Sequence, residues 1–124
     1  MDPADGIVLG VRWGADERAC AAVLGPLSGE GVHRVAPTVA LAEARWIPEL
    51  AFELDALCAI SLRSATGPSV YDGDALAGVI DAVTGWAGEP PRRTDEGWLQ
   101  VDAGVTRITV DLVDGRLVFE DVDS

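Results

Sequence analysis

The side chains able to do chemistry in this chain are few, and their spacing does not assemble a reaction. There is one histidine, His33. With no cysteine beside it and no paired acid, it lacks the partners that a metal site or a nucleophile triad requires. Ser28, Ser61, Ser64 and Ser69 stand outside any Gly-x-Ser-x-Gly setting, and the 14 glycines form no phosphate-cradling loop. Two carboxylate pairs, Asp72 with Asp74 and Asp121 with Asp123, have side chains suited to general acid–base work. They fall at a helix start and near the last residue, where dipole capping and solvation account for them. Cys20 and Cys58 have no metal-ligand spacing and read as small buried hydrophobes. The expectation is a protein that is not an enzyme and that holds no metal or cofactor.

Charge points instead to recognition of another protein. The chain carries 21 acids and nine arginines with no lysine, a formal net charge of −12. Nucleic acid is disfavoured, because phosphate contacts need clustered cations, whereas a basic protein is attracted. Half of that net charge lies in the last quarter of the chain, where Asp95, Glu96, Asp102, Asp111, Asp114, Glu120, Asp121 and Asp123 face only Arg107 and Arg116. Trp98 alternates with Leu99 and Val101, so it either closes the edge of the core or lies on the solvent face beside Gln100, an aromatic among acids as in many protein interfaces. The partner-binding candidates are Trp98, Asp111, Glu120, Asp121, Asp95 and Glu96. No segment approaches the ~20 apolar residues of a membrane helix, and Met1 to Asp5 lack the positive region of a signal peptide. The reading is a cytoplasmic protein, monomer or homodimer, away from membranes.

The elements that must position these residues begin with the closing hairpin. Val105 to Val113 and Arg116 to Val122 are two β-rich runs joined by Asp114-Gly115, the strongest two-residue turn signal. That turn places Val113 opposite Arg116, Leu112 opposite Leu117 and Val110 opposite Phe119, with Ile108 on the same inward face. Arg107, Thr109, Asp111, Glu120 and Val122 then face outward, Arg107 diagonal to Glu120. Earlier in the chain, Ile7 to Trp13 reads as a strand. Asp16 N-caps a short helix with Cys20, Val23, Leu24 and Leu27 on one face, stopped by Gly25-Pro26. Val32 to Val35 reads as a brief strand, and Thr38 to Trp46 leans to strand after about Leu41. Leu50, Phe52 and Leu54, then Cys58, Ile60 and Leu62, form a second hairpin with its turn near Asp55 to Leu57 and all six on one face. Ser64 to Pro68 is a linker. Asp74 caps a helix whose stripe is Leu76, Val79, Ile80, Val83 and Trp86 or Ala87, ended by Gly88, Pro90 and Pro91. Arg92 to Glu96 is a polar bridge and Gly97 to Asp102 a strand.

The two halves echo each other. Ala22-Val23-Leu24-Gly25 matches Ala82-Val83-Thr84-Gly85, Leu50, Phe52 and Leu54 match Ile108, Val110 and Leu112, and Cys58 and Ile60 match Leu117 and Phe119. The offsets between the matched residues are nearly equal. The expected fold is a single α+β domain over 1–124, with two helix-plus-antiparallel-strand pseudo-repeats at about 6–64 and 69–123. These share one antiparallel sheet with both helices on one face.

Ile7-Val8-Leu9-Gly10, the helix ending Ala22 to Pro26, and the hairpin ending Cys58-Ala59-Ile60-Ser61-Leu62 resemble the small α+β immunity proteins of bacterial polymorphic toxin systems. The tandem helix-plus-sheet plan is also similar in outline to the β-lactamase inhibitory proteins. The resemblance implies a non-enzymatic inhibitor whose sheet or edge covers a partner's active site, and the acidity agrees, since an acidic sheet surface suits a cognate toxin or other basic protein. The alternatives are a chaperone or adaptor for a secreted effector and a small-molecule-binding domain.

Overall fold

The computed structural model describes residues 1–41, 44–65 and 73–122. Apolar alternation builds its strands, in the order β1 (Ile7–Val8), β2 (Val11–Arg12), α1 (Glu17–Leu24), β3 (His33–Val35), β4 (Val39–Leu41), β5 (Ala44–Glu53), β6 (Ala56–Ser64), α2 (Gly73–Ala87), β7 (Arg92–Arg93), β8 (Leu99–Ala103), β9 (Thr106–Asp111) and β10 (Arg116–Asp121). A short 3-10 turn, Pro3–Asp5, precedes β1. Apart from the small β1–β2 ribbon, the strands form one antiparallel sheet in the order β3-β5-β6-β10-β9-β8-β7, with β4 also paired to β5. The sheet is therefore continuous across the two halves of the chain, joined where β6 meets β10. The chain is mixed α+β.

Cross-strand pairs share a face, so the register fixes the core. One inward row runs Leu50, Ile60, Phe119, Ile108 and Val101, and the next runs Pro48, Leu62, Leu117, Val110 and Leu99. Phe119 is fully buried, as are Leu50, Ile60 and Ile108, each side chain stabilising by about 1.5–3 kcal/mol relative to exposure. Val79 and Val83 of α2 bury their stripe here, and the Trp86 ring lies 5.7 Å from that of Phe119 at 54°. Cys20 of α1 joins the same core, and Arg34, on the inward side of β3 opposite Leu50, ties its guanidinium Nε to Glu17 at 3.2 Å. Both helices therefore cover one face. Asp16 caps α1 as expected, its carboxylate accepting the Ala19 N–H at 2.8 Å.

The N-terminal turn is fastened to the far end of the chain on this inward side. Trp13 Nε1 donates to Thr106 Oγ1 at 2.8 Å, and that hydroxyl donates in turn to the Pro3 carbonyl. Gly104, at φ +56°, makes the approach feasible, because a Cβ there would come within 2.3 Å of the Ala4 carbonyl oxygen.

Several sequence expectations are corrected. In the closing hairpin Asp111, not Val113, faces Arg116, with Val110 opposite Leu117 and Ile108 opposite Phe119. Leu112 to Gly115 make a four-residue loop. The Asp111 carboxylate accepts the N–H groups of Val113 and Asp114 at 3.0 and 3.1 Å, its carbonyl accepts the Gly115 N–H at 3.0 Å, and Gly115 takes φ +67°. A slip of two residues preserves both faces but moves Arg107 from diagonal to directly opposite Glu120. In the β5–β6 hairpin Ala51 faces Ala59 but Phe52 faces Leu57, so Cys58 is the extra residue of a β-bulge. Leu57 takes the buried place expected of Cys58, and Leu54 leaves the inward face for the turn.

Ile7 to Trp13 is not one strand, because Leu9 and Gly10, at φ 54° and 85°, fold it into the β1–β2 ribbon. Arg92 and Arg93 form an edge strand rather than a bridge, pairing with Gln100 and Leu99. Thr38 to Trp46 contains a strand before Leu41 as well as one after it. The linker beyond Ala65, Ser69, Tyr71, Asp72 and Asp123 lie outside the described residues.

Candidate functional site

The sheet face turned away from the helices carries a patterned charge. Following the register, Asp102, Arg107, Glu120, Ala59, Ala51 and His33 form one transverse row. Gln100, Thr109, Val118, Ser61 and Glu49 form the next, and Asp111, Arg116, Arg63 and Ile47 a third. The arginines are held by carboxylates of the same face. Arg107 Nε lies 3.0 Å from Asp102, Arg116 Nη1 2.9 Å from Glu49, and Arg63 Nε 3.5 Å from Glu49. Each such half-exposed pair contributes about 0–1 kcal/mol to stability, so their main effect is on where the charge sits. The hydrogen bond and charge of Asp102 raise the Arg107 guanidinium above its ordinary value. The centre of the face is a strip of small side chains, Ala51, Ala59, Ser61 and Val118, each half-buried.

The six partner-binding candidates divide between the two ends of this sheet. Asp95 and Glu96 are exposed on the turn before β8, where Trp98 is half-buried and its backbone N–H and carbonyl both bond to Thr94. Asp111, at the same end, spends its carboxylate on the 112–115 loop. Glu120 and Asp121 lie at the other end. Glu120 is exposed on the open face opposite Arg107, while Asp121 is half-buried opposite Thr106 on the helix side. Arg107 and Asp111 are four residues apart on β9, so the groups are separated by roughly 14 Å at the rise of an extended strand.

The end that holds Glu120 has a feature that sequence reading placed in the core. Leu54 is 98% exposed at the tip of the β5–β6 turn, with Glu53 and Asp55 exposed on either side. Leu54 and Asp55 take φ 51° and 61°, the left-handed pair of a two-residue hairpin turn. Val32 is 57% exposed nearby, its carbonyl accepting the Phe52 N–H at 2.8 Å. Cys58 sits against the tip with its thiol donating to the Ala51 carbonyl; burial, then the charges of Glu53 and Asp121, push that thiol up and keep it neutral. Alternation with Leu50 and Phe52 sets Leu54 inward, but the strand ends at Glu53 and Leu54 falls in the turn. The one available signal was that pairing Phe52 with Leu57 leaves only two residues for the turn.

A 480 Å³ depression beside α1 is lined by Asp16, Glu17, Arg18, Ala21 and Asp55, charged side chains around a single alanine. Among the described residues no group of three or more His, Cys, Asp or Glu side chains is arranged to hold a metal ion. His33 is exposed on β3, across from Ala51. Among the described residues no helix is long and apolar enough to cross a membrane. Compared with family models, with curated proteins and with solved structures, the chain gives no match in any of the three.

Proposed function

We propose that this chain is a non-enzymatic protein-binding inhibitor of the immunity type, acting in the cytoplasm by covering the working surface of a basic toxin. The observation that carries the reading is the state of the open sheet face. Its arginines Arg63, Arg107 and Arg116 are already engaged by Asp102 and Glu49, which leaves the face itself close to balanced. The surplus of a chain of net charge −12 reaches a partner through the exposed carboxylates at the two ends of the face, Glu53, Asp55 and Glu120 at one and Asp95 and Glu96 at the other. A basic protein that acts on an anionic substrate is drawn to such a surface, and electrostatic steering raises its association rate. The tandem plan belongs to the same reading. We take the halves as pseudo-repeats related about the β6–β10 seam, supported by the pairing of Ile60 with Phe119, the two residues matched in the sequence echo.

The test is a tagged capture from the host at low and high salt, followed by a growth assay. The expected result is one folded basic protein encoded beside this chain, released at high salt, toxic when expressed alone and harmless when co-expressed. Capture of unfolded segments of a secreted effector favours the chaperone reading instead. Capture of nothing by a clean monomer rejects the inhibitor.

A further inference from the structure

We propose that the β5–β6 tip is the anchor of that interface: Leu54 enters an apolar cleft on a folded basic protein while Glu53, Asp55 and Glu120 meet the cations around the cleft. The proposal rests on the inhibitor reading and adds which surface makes the contact and what the opposing surface must look like.

Among the described residues nothing accounts for a leucine at this position. It is 98% exposed, so it adds nothing to the core, and φ 51° is a backbone conformation that favours glycine, asparagine or aspartate. A depression lies on each flank. One is floored by Phe52 and bounded by Val32 and Asp55, and the other is walled by Ala56, Leu57 and Cys58. A partner can therefore close around Leu54 from both sides, the arrangement of an apolar anchor excluded from water by a polar rim.

Charge selects the occupant. Glu53, Asp55 and Glu120 are exposed around the tip, and Asp16 is exposed on its α1 side. Arg34 and Arg107 are paired with Glu17 and Asp102, and Arg18, exposed on α1 beside Asp16 and Asp55, sets one cation against the four carboxylates around the tip. A second copy of this chain would bring the same carboxylates against themselves, and phosphate would meet them with like charge. A basic protein surface is the complement.

The experiment places the photo-crosslinking residue benzoylphenylalanine at position 54, or at position 113 as a control, in the tagged full chain within its own host. Val113 is also exposed, at 74%, but stands at the opposite end of the sheet. The expected result is an adduct with one basic protein from position 54 and none from position 113. With that protein purified, Leu54→Asn should weaken binding at least tenfold while raising the melting temperature, opposite directions that a structural role would not produce. Glu53→Gln with Asp55→Asn should slow association and flatten its salt dependence. An adduct from position 113 alone, equal adducts from both, an adduct with a second copy, or unchanged affinity in Leu54→Asn would overturn the tip while leaving the inhibitor standing. No adduct from either position and no captured partner would overturn both.

Discussion

The two main hairpins of this sheet use opposite turn chemistry from the one their residues advertise. Asp114-Gly115 is the dipeptide suited to a two-residue turn, yet it ends a four-residue loop organised by the Asp111 carboxylate. Leu54-Asp55 has no glycine and a leucine in its first place, a weaker turn signal carried by Asp55 alone, yet it makes the tight turn with both residues at positive φ. Core pairing explains the difference. Phe52 and Leu57 are both buried and face each other, which leaves Glu53 opposite Ala56 and two residues to close the chain. In the other hairpin Ile108 opposite Phe119 and Val110 opposite Leu117 leave four, and Asp111 and Gly115 suit the longer loop. Turn residues choose among the loops that the core permits; they do not choose the register.

The largest expected effect comes from removing the group that both hairpins share. Phe119→Ala empties the site between Ile60 and Ile108 and should cost about 3–5 kcal/mol in chemical denaturation. Next is Asp111→Ala, which strips the acceptor from two loop N–H groups and should cost about 1–2 kcal/mol, while Asp111→Asn keeps an acceptor oxygen and costs less. If Asp111→Ala were neutral, the loop would owe nothing to its carboxylate and the contrast between the hairpins would fail. At the tip the sign reverses. Leu54→Asn relieves a non-glycine residue at positive φ and should stabilise by up to about 1 kcal/mol, since no buried contact is lost. The smallest effect is electrostatic. Burial, followed by the charges of Asp16 and Asp55, pushes the Cys20 thiol up to about 11 from 9.0. The folded-state value is raised, so the stability linked to the neutral thiol is intact below pH 9 and lost as pH rises through 11. Asp55→Asn should shift the Cys20 thiolate absorbance to slightly lower pH and leave the fold unchanged.

Much of the architecture was legible in period-two alternation. Alternation sets Leu117 and Phe119 inward with Ile108 and Val110, and they stay inward because the observed pairing is displaced from the two-residue-turn register by an even number of residues. The Asp16 cap and the Val79–Val83 stripe follow from capping chemistry and helical spacing, both local. What was not legible depended on contacts distant in sequence. The bulge at Cys58 shifts the phase of the first residues of β6, so that Leu57 rather than Cys58 is buried and pairs with Phe52, and the turn then closes at Leu54-Asp55, which takes Leu54 out of the alternating strand. The candidate site suffered most. Charge density singled out the last quarter of the chain, but sequence order does not reveal that Asp111 and Glu120 sit at opposite ends of a sheet.

The clasp of Trp13, Thr106 and Pro3 joins residues 93 and 103 positions apart. Its formation has to wait for the last strands, as does the β6–β10 seam. A growing chain that has left the ribosome only as far as β6 can pair its first hairpin but has no Phe119 to stack beneath and no hydroxyl for the Trp13 indole. Completion of the fold therefore depends on contacts that span most of the chain and that form last. On the proposed inhibitor reading, the chain would become competent only at the end of synthesis, so its supply would be set by the rate of whole-chain production rather than by any early-folding fragment.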